Sequence, residues 1–282
     1  MDRKKAIVTG GSHGIGRGIV FCLAAAGYDV AFSYRNGMEA AEKVMEVLQQ
    51  EYPEGRFYTL PAKMEEDGGA EAFFHQAVSA LGGLDLLVNN AGVTLKDSIF
   101  DLKKEDMDYM LMVDFRSYIL MTQQAVRYMA EHGIRGNVIN ITSTRADRAY
   151  PKDAVYGGIK AGINRAMESA ALDAAPYGIR INNIAPGATM RFTKEELDAH
   201  RDTPHGKKIA YLSPRIPLER YGAPEDMGNA VVFLASEKAA YITGATIKID
   251  GGLTLPGMPE TAEEAENGWG AEKKERGTFH DV

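Results

Sequence analysis

The sequence predicts an α/β fold: a single-domain, Rossmann-like, doubly wound parallel sheet with helices on both faces. Short, nearly continuous apolar segments alternate with longer helical patterns, which is typical of parallel strands covered on both sides. A glycine-rich turn joins the first apolar segment to the first helical pattern, and 282 residues suffice for one α/β domain. Because crossovers are right-handed, the carboxyl ends of the strands share one edge, where such folds bind ligands.

The individual elements follow from where the apolar periodicity begins and ends. The first helix starts in the glycine-rich turn and is closed by Gly27, and the helix before the sixth strand is stopped by Pro176. The predicted order is strand 6–8, helix 14–26, strand 30–34, helix 38–52, strand 56–60, helix 69–81, strand 84–88, helix 106–131, strand 137–142, helix 155–175, strand 180–185, helix 225–236 and strand 246–249.

Two stretches interrupt this rhythm and set the predicted domain organisation. One domain should span residues 1–253, with a polar and irregular substrate loop at about 188–217. Residues 254–282 are rich in Glu, Gly and Lys, so this C-terminal tail is either disordered or covers a subunit interface, with Trp269 as its anchor.

Composition excludes several classes of function. The net charge of -7 argues against nucleic acid as a partner, since phosphate binding requires a basic surface. One cysteine, Cys22, permits no internal disulfide, and no His or Cys spacing indicates a metal site. No apolar run is long enough to span a bilayer, and no signal-peptide pattern follows the N-terminus. We therefore expect a cytoplasmic protein without a membrane or nucleic-acid partner.

The glycine-rich turn after the first strand has the pattern of a phosphate-binding site. Its glycines allow a tight turn and a close approach to a pyrophosphate, and the following helix supplies free N–H groups. The alternative is a glycine-rich βα turn without a ligand. The candidate cofactor residues here are Thr9, Gly10, Ser12, His13, Gly14, Ile15 and Gly16.

Tyr156 and Lys160 are four positions apart on a predicted helix and so share one face. A carbonyl that is reduced must receive a proton, and an alcohol that is oxidised must lose one. A lysine ammonium group about 4 Å from a phenol stabilises the phenolate by about 4 kcal/mol at an effective dielectric near 20. The pair therefore indicates a general acid/base.

Five segments in this order resemble the short-chain dehydrogenase/reductase family over roughly residues 4–252. They are Thr9-Gly10-Gly11-Ser12-His13-Gly14-Ile15-Gly16, Asn89-Asn90-Ala91-Gly92, Tyr156-Gly157-Gly158-Ile159-Lys160, Asn183-Ile184-Ala185-Pro186-Gly187 and Ile249-Asp250-Gly251-Gly252. The resemblance is nearest to the 3-oxoacyl-carrier-protein reductase and glucose dehydrogenase branches. It implies a nicotinamide-dependent oxidoreductase that interconverts a carbonyl and a secondary alcohol, and a homotetramer or homodimer formed through the two long helices.

The resemblance also implies roles for individual residues. Tyr156 would be the acid or base, Lys160 would also bind the nicotinamide ribose, and Ser143 would orient the substrate oxygen; taken alone, Ser143 is more often a strand-end cap. Further cofactor contacts would come from Asn90, Ala91, Gly92, Met64, Pro186 and Gly187.

The sequence departs from the family pattern at three positions. Asp114 stands where the family has an Asn that helps to hold a relay water, so the Asp either replaces it or is merely tolerated. Lys63 stands where the family has an Asp at the adenine, so it either changes how the adenine is held or points to solvent. Arg191 replaces a Thr, whose contact Thr189 could provide.

The end of the second strand bears on cofactor choice. Tyr34, Arg35 and Asn36 include no acidic side chain for a ribose 2′-hydroxyl, while Arg35 could pair with a 2′-phosphate or be merely solvated. This predicts that NADP(H) is preferred and that NAD(H) is possible.

Substrate choice depends on loops that the motifs do not define. Arg145 and Arg191 could recognise an anionic substrate, or they could be solvated charges. The candidate substrates are a 3-oxoacyl thioester, a sugar-like carbonyl or a steroid-like ketone. The alternative function is a non-catalytic dinucleotide sensor or binding module on the same fold.

Overall fold

The computed structural model describes residues 3–192 and 199–257. Its seven strands form one sheet in the order β3-β2-β1-β4-β5-β6-β7, and every neighbouring pair is parallel. The predicted doubly wound parallel sheet is thereby confirmed. The strands are β1 (Lys5–Val8), β2 (Asp29–Tyr34), β3 (Phe57–Pro61), β4 (Leu86–Asn89), β5 (Asn137–Ile141), β6 (Arg180–Pro186) and β7 (Thr246–Ile249).

Helices cover both faces of the sheet and enclose two apolar cores. On β1, Ala6 and Val8 belong to one core and Ile7 to the other, as the two-residue period of a strand requires. The first face carries α1 (Gly14–Ala25), α2 (Met38–Glu51) and α8 (Pro224–Leu234). The second carries α3 (Gly69–Leu81), α5 (Ser117–Glu131) and α6 (Ala154–Ala174).

The helix predicted at 106–131 is longer and less regular than expected. It consists of α4 (Lys104–Met110), a π-helical segment over Leu111–Arg116, and α5. A π segment changes which residues share a face, and such segments are frequent at functional sites. Asp114 lies within this segment.

The prediction of an irregular loop at 188–217 is wrong in its second half. Residues Pro204–Leu212 form the helix α7, which begins with Pro204 and is capped by the Thr203 hydroxyl on the Gly206 N–H. Its Ile209 is buried in a small third core with Met190 and Ile216. Because this helix is mostly polar, the one apolar face that packs on the core was not recognised in the sequence.

The remaining boundaries agree with prediction to within two residues. The region of the C-terminal tail that includes Trp269 lies outside the described residues. Within the described residues, no helix is long and apolar enough to cross a membrane.

Candidate active site

A cleft of about 640 Å³ opens at the carboxyl ends of the strands. It lies near β1 and β4, the neighbouring strands at which the order of strands in the sheet reverses. This is the position at which doubly wound sheets bind ligands. Most of the candidate cofactor and catalytic residues line it: Gly10, Ser12, His13, Gly14, Ile15, Gly16, Tyr34, Arg35, Met64, Asn90, Ala91, Gly92, Asp114, Ser143, Tyr156, Lys160, Pro186, Gly187, Thr189 and Arg191.

The turn between β1 and α1 depends on its glycines. Gly10 has a φ of 70°, a conformation that side chains with a Cβ rarely adopt. A Cβ on Gly16 would lie 2.0 Å from the carbonyl oxygen of Gly10, so only glycine fits there. Among the described residues, the N-cap residue His13 makes no side-chain hydrogen bond to the start of α1, and the first residues of this helix line the cleft. This arrangement fits a pyrophosphate.

Thr9 and Asn90 stabilise this turn through hydrogen bonds. The Thr9 hydroxyl accepts hydrogen bonds from the backbone N–H groups of Asn90 and Ala91, at 2.8 and 2.9 Å. The Asn90 side chain in return donates to the carbonyl oxygens of Thr9 and Gly10, at 2.9 and 3.1 Å. Thr9 itself is not among the residues that line the cleft. The structure places it behind the loop that bears Asn90.

His13, the N-cap residue of α1, is a neutral imidazole at neutral pH. Burial lowers its pKa from the ordinary value, and the positive charges of Arg191 and Arg17 lower it further. Its Nδ1 lies 3.1 Å from the Ser12 hydroxyl. His13 can therefore contribute a hydrogen bond to a phosphate, but the positive charge nearby comes from the arginines.

The catalytic helix α6 places Tyr156 and Lys160 side by side. The Lys160 ammonium lies 5.5 Å from the centre of the Tyr156 ring and 4.8 Å from that of Tyr118. Lys160 is 3% exposed, and its Nζ lies 3.1 Å from Oδ2 of Asp114. Burial lowers the pKa of Lys160, but the surrounding Tyr118, Asp114 and Tyr156 raise it more strongly. Lys160 is thus a cation held by a buried carboxylate.

Asp114 has a second bond that fixes its position. Its Oδ1 accepts a 2.7 Å hydrogen bond from the backbone N–H of Val93. Burial raises the pKa of Asp114, and Lys160 and the Val93 N–H partly offset that rise. A Cβ on Gly92 would lie 2.8 Å from Oδ2 of Asp114, so the close approach requires glycine. The sequence left open whether Asp114 holds water or is tolerated; the structure shows a direct ion pair with Lys160.

Ser143 follows β5 and caps a short 3₁₀ turn over Thr144–Ala146. Its hydroxyl accepts a 3.2 Å hydrogen bond from the Arg145 N–H, and the same residue lines the cleft beside Tyr156. The capping and cleft-lining roles are therefore compatible. A Cβ on Gly157 would lie 2.9 Å from the carbonyl oxygen of Arg145, so this glycine lets α6 pack against the turn.

The adenosine end of the cleft differs from the sequence-based prediction. Arg35 pairs with Glu65 at 2.8 Å, and both line the cleft. Lys63 instead pairs with Glu66 at the surface and, like Asn36, does not line the cleft. Sequence reasoning missed Glu65, because the chain beyond β3 has no periodicity that would show which of Lys63 and Glu65 points inward.

The two predicted substrate arginines lie in different places. Arg145 pairs with Asp153 at 2.9 Å, stacks on Tyr150 at 4.3 Å and lines a separate cleft of about 700 Å³. Arg191 lines the catalytic cleft. Thr189 lines it too, with its hydroxyl 3.4 Å from the Gly187 carbonyl oxygen. Among the described residues, no group of three His, Cys, Asp or Glu side chains could hold a metal ion.

A doubly wound sheet that brings a glycine-rich turn and a Tyr–Lys pair into one cleft defines a nicotinamide-dependent oxidoreductase. The family model described as Enoyl-(Acyl carrier protein) reductase matches residues 10–254. Glucose 1-dehydrogenase 2 of Bacillus subtilis is 32% identical over 253 residues, which cover 89% of this chain and 95% of that protein. The 3-oxoacyl-[acyl-carrier-protein] reductase FabG of Staphylococcus aureus is 35% identical over 252 residues, which cover 89% and 98%.

A solved structure extends the comparison to three dimensions. The short-chain dehydrogenase/reductase of Serratia marcescens is 34% identical, with a TM-score of 0.78 over 89% of this chain and 98% of that one. The chain belongs to the short-chain dehydrogenase/reductase family. It is an NAD(P)-dependent oxidoreductase that interconverts carbonyl and alcohol groups.

Proposed function

We propose that this protein is an NADP(H)-preferring carbonyl reductase in which Tyr156 donates the proton. The carrying observation is that Tyr156, Lys160 and Ser143 line the same cleft as the glycine-rich turn. The turn and the start of α1 would hold the pyrophosphate, Lys160 the nicotinamide ribose and Arg35 the 2′-phosphate. The bound nicotinamide supplies or accepts the hydride.

The protein's own residues account for the proton. The Ser143 hydroxyl donates a hydrogen bond to the carbonyl oxygen of the substrate and orients it. The Tyr156 O–H transfers its proton to that oxygen as the alcohol forms. The Lys160 ammonium stabilises the resulting phenolate, and Asp114 fixes the position of Lys160.

The choice of NADP(H) is supported by the residues at the end of β2. Arg35 lines the cleft at this point, and the neighbouring cleft residues Ser33 and Tyr34 are not acidic. A guanidinium group binds phosphate through paired hydrogen bonds. NAD(H) remains a usable cofactor, because the glycine-rich turn and Lys160 contact parts that both dinucleotides share.

The proposed substrate is a 3-oxoacyl thioester or a sugar-like carbonyl, the classes named for the two curated relatives. Arg191 lines the cleft and could contact an anionic group of such a substrate. Arg145 is less suited to that role, because Asp153 and Tyr150 already hold it. We further propose that residues 1–253 form the catalytic domain of a cytoplasmic homotetramer or homodimer.

The test is NADPH oxidation with a panel of a 3-oxoacyl thioester, sugar carbonyls and a 2-enoyl thioester, the last because of the matched family model. Wild type should reduce at least one carbonyl substrate. Tyr156→Phe should lower kcat by at least about 100-fold, because general acid catalysis contributes that much or more. The control Tyr150→Phe lies on the separate cleft and should retain activity.

Two results would contradict this proposal. NADPH binding without turnover of any compound would favour a dinucleotide-binding module. Reduction of only the 2-enoyl thioester would replace carbonyl reduction with reduction of a carbon–carbon double bond.

A further inference from the structure

Glu65 is an acidic side chain inside the adenosine end of the cleft, at a place where no acidic residue was expected. It lies in the connection between β3 and α3, and it reaches the residue that immediately follows β2. Its Oε1 accepts a 2.8 Å hydrogen bond from Nε of Arg35. Only 17% of the Glu65 side chain is exposed, against 50% of Arg35. The more buried partner of the pair is therefore the acid.

The second carboxylate oxygen of Glu65, Oε2, lies in different surroundings from the first. Oε2 is buried and makes no hydrogen bond to any part of the chain that the structure describes. A buried carboxylate oxygen without a donor loses its hydration and gains nothing in return. Since Glu65 lines the cleft, a rotation of its carboxylate would turn Oε2 toward the cleft, where a donor group of a ligand could supply the missing bond.

Arg35 already has partners on the protein itself. Its guanidinium is bonded to Glu65 and lies 5.2 Å from the centre of the Tyr109 ring. A 2′-phosphate that took Arg35 would have to displace Glu65 and would then lie beside a negative charge. A 2′-hydroxyl meets neither obstacle, because it carries no charge and can donate to the Glu65 carboxylate once that group rotates, with one carboxylate oxygen still on Arg35.

We propose that Glu65 is a specificity-determining residue of the cofactor site: it restrains Arg35, opposes the 2′-phosphate of NADP(H) and accepts a hydrogen bond from the 2′-hydroxyl of NAD(H). This inference rests on the proposed contact between Arg35 and the 2′-phosphate. It makes the protein a user of both dinucleotides, with a preference for NADP(H) that Glu65 keeps small.

The test is direct titration of NADPH and NADH, by fluorescence or calorimetry, on wild type and four variants. Binding is measured without a carbonyl substrate, so the result does not depend on catalysis. Glu65→Gln keeps the shape of the side chain and removes its charge. The matched control is Glu66→Gln, because Glu66 is the next residue and pairs with Lys63 at the surface. Arg35→Met and the double variant Arg35→Met/Glu65→Gln complete the set.

Glu65→Gln should tighten NADPH binding about 10-fold, because a full charge beside the phosphate is removed. It should also weaken NADH binding severalfold. Glu66→Gln, whose charge acts on Arg35 more weakly than that of Glu65, should change neither dissociation constant by more than about twofold. Arg35→Met should weaken NADPH, and in the double variant the gain from Glu65→Gln should shrink, since the two residues act as a pair.

Two failures are distinguishable. Suppose that Arg35→Met weakens NADPH binding but Glu65→Gln leaves the ratio of the NADPH and NADH dissociation constants within twofold of wild type. The proposed role of Glu65 is then wrong, and the contact between Arg35 and the 2′-phosphate stands. If Arg35→Met leaves NADPH binding unchanged, the contact of Arg35 with the 2′-phosphate is wrong, and the inference about Glu65 falls with it.

Discussion

Each end of the cleft holds an ion pair, Lys160–Asp114 at the catalytic end and Arg35–Glu65 at the adenosine end, but the two pairs differ in burial. Lys160 and Asp114 are buried at 3% and 0% exposure and are held by further bonds. Arg35 and Glu65 are half exposed and largely buried, respectively. A buried pair has one permitted arrangement, because separating the charges is costly. A partly solvated pair can exchange partners, so the catalytic end is fixed and the adenosine end is adjustable.

Of the substitutions that test this contrast, Lys160→Met should lower the stability of the protein most. It leaves the buried Asp114 carboxylate without its cation, which typically costs about 3–5 kcal/mol of unfolding free energy. Arg35→Met should cost less than about 1 kcal/mol, since the pair it breaks is partly solvated. Chemical denaturation of both variants measures the difference, and equal losses of stability would remove the distinction between the two ends.

Asp114→Asn should have the next largest effect, on turnover. Without its negative charge, this side chain no longer forms the ion pair that holds Lys160 beside Tyr156. Because misplacement of a catalytic group slows the chemical step, the kcat of carbonyl reduction should fall about 10-fold.

The kcat of carbonyl reduction at saturating NADPH, compared between wild type and Asp114→Asn, measures this loss. Glu66→Gln, which alters a surface ion pair, is the control and should keep the wild-type kcat. A wild-type kcat in Asp114→Asn would mean that the ion pair with Lys160 does not contribute to catalysis.

The smallest effect should come from Asp29, a buried carboxylate far from the chemistry whose partners are partly exposed. Burial raises its pKa, but hydrogen bonds from Arg56 and Arg3 lower it more, so the folded value lies below the ordinary 3.8. A lowered pKa contributes stability that is present above the unfolded value and lost as pH falls through the folded value. Asp29→Asn should therefore be less stable than wild type at neutral pH. Below about pH 4, the free energy of unfolding of the variant should fall less than that of wild type.

Denaturation of Asp29→Asn at neutral pH and at pH 3 checks this expectation. Parallel losses in the variant and the wild type between the two pH values would show that Asp29 does not contribute to acid sensitivity.

The sequence was sufficient for the glycine-rich turn and for the Tyr156–Lys160 pair at the fixed end of the cleft. The glycine spacing of the turn and the four-residue spacing of Tyr156 and Lys160 are local patterns, and local geometry places such residues directly. Family resemblance placed Asp114, and so a negative charge, near Lys160. The direct ion pair between them was not predictable, because Asp114 lies in a π-helical segment whose faces no regular period describes.

The adjustable end was predicted less well, for a different reason. Lys63 and Glu65 lie beyond the last paired residue of β3, where no strand alternation sets the direction of side chains. Lys63 was selected because it occupies the position of the family's Asp, whereas the structure places Glu65 in the cleft. Arg145 was proposed for a substrate contact because its charge is visible in the sequence, whereas its pairing with Asp153 depends on the turn between them.

The central claim is that Tyr156 transfers the proton in a cleft that binds the dinucleotide independently of it. The most direct measurement is the single-turnover rate of carbonyl reduction with NADPH already bound, made on wild type and Tyr156→Phe whose NADPH dissociation constants are measured in parallel. We expect a dissociation constant within about twofold of wild type and a rate lower by at least about 100-fold. A rate close to that of wild type would contradict the claim.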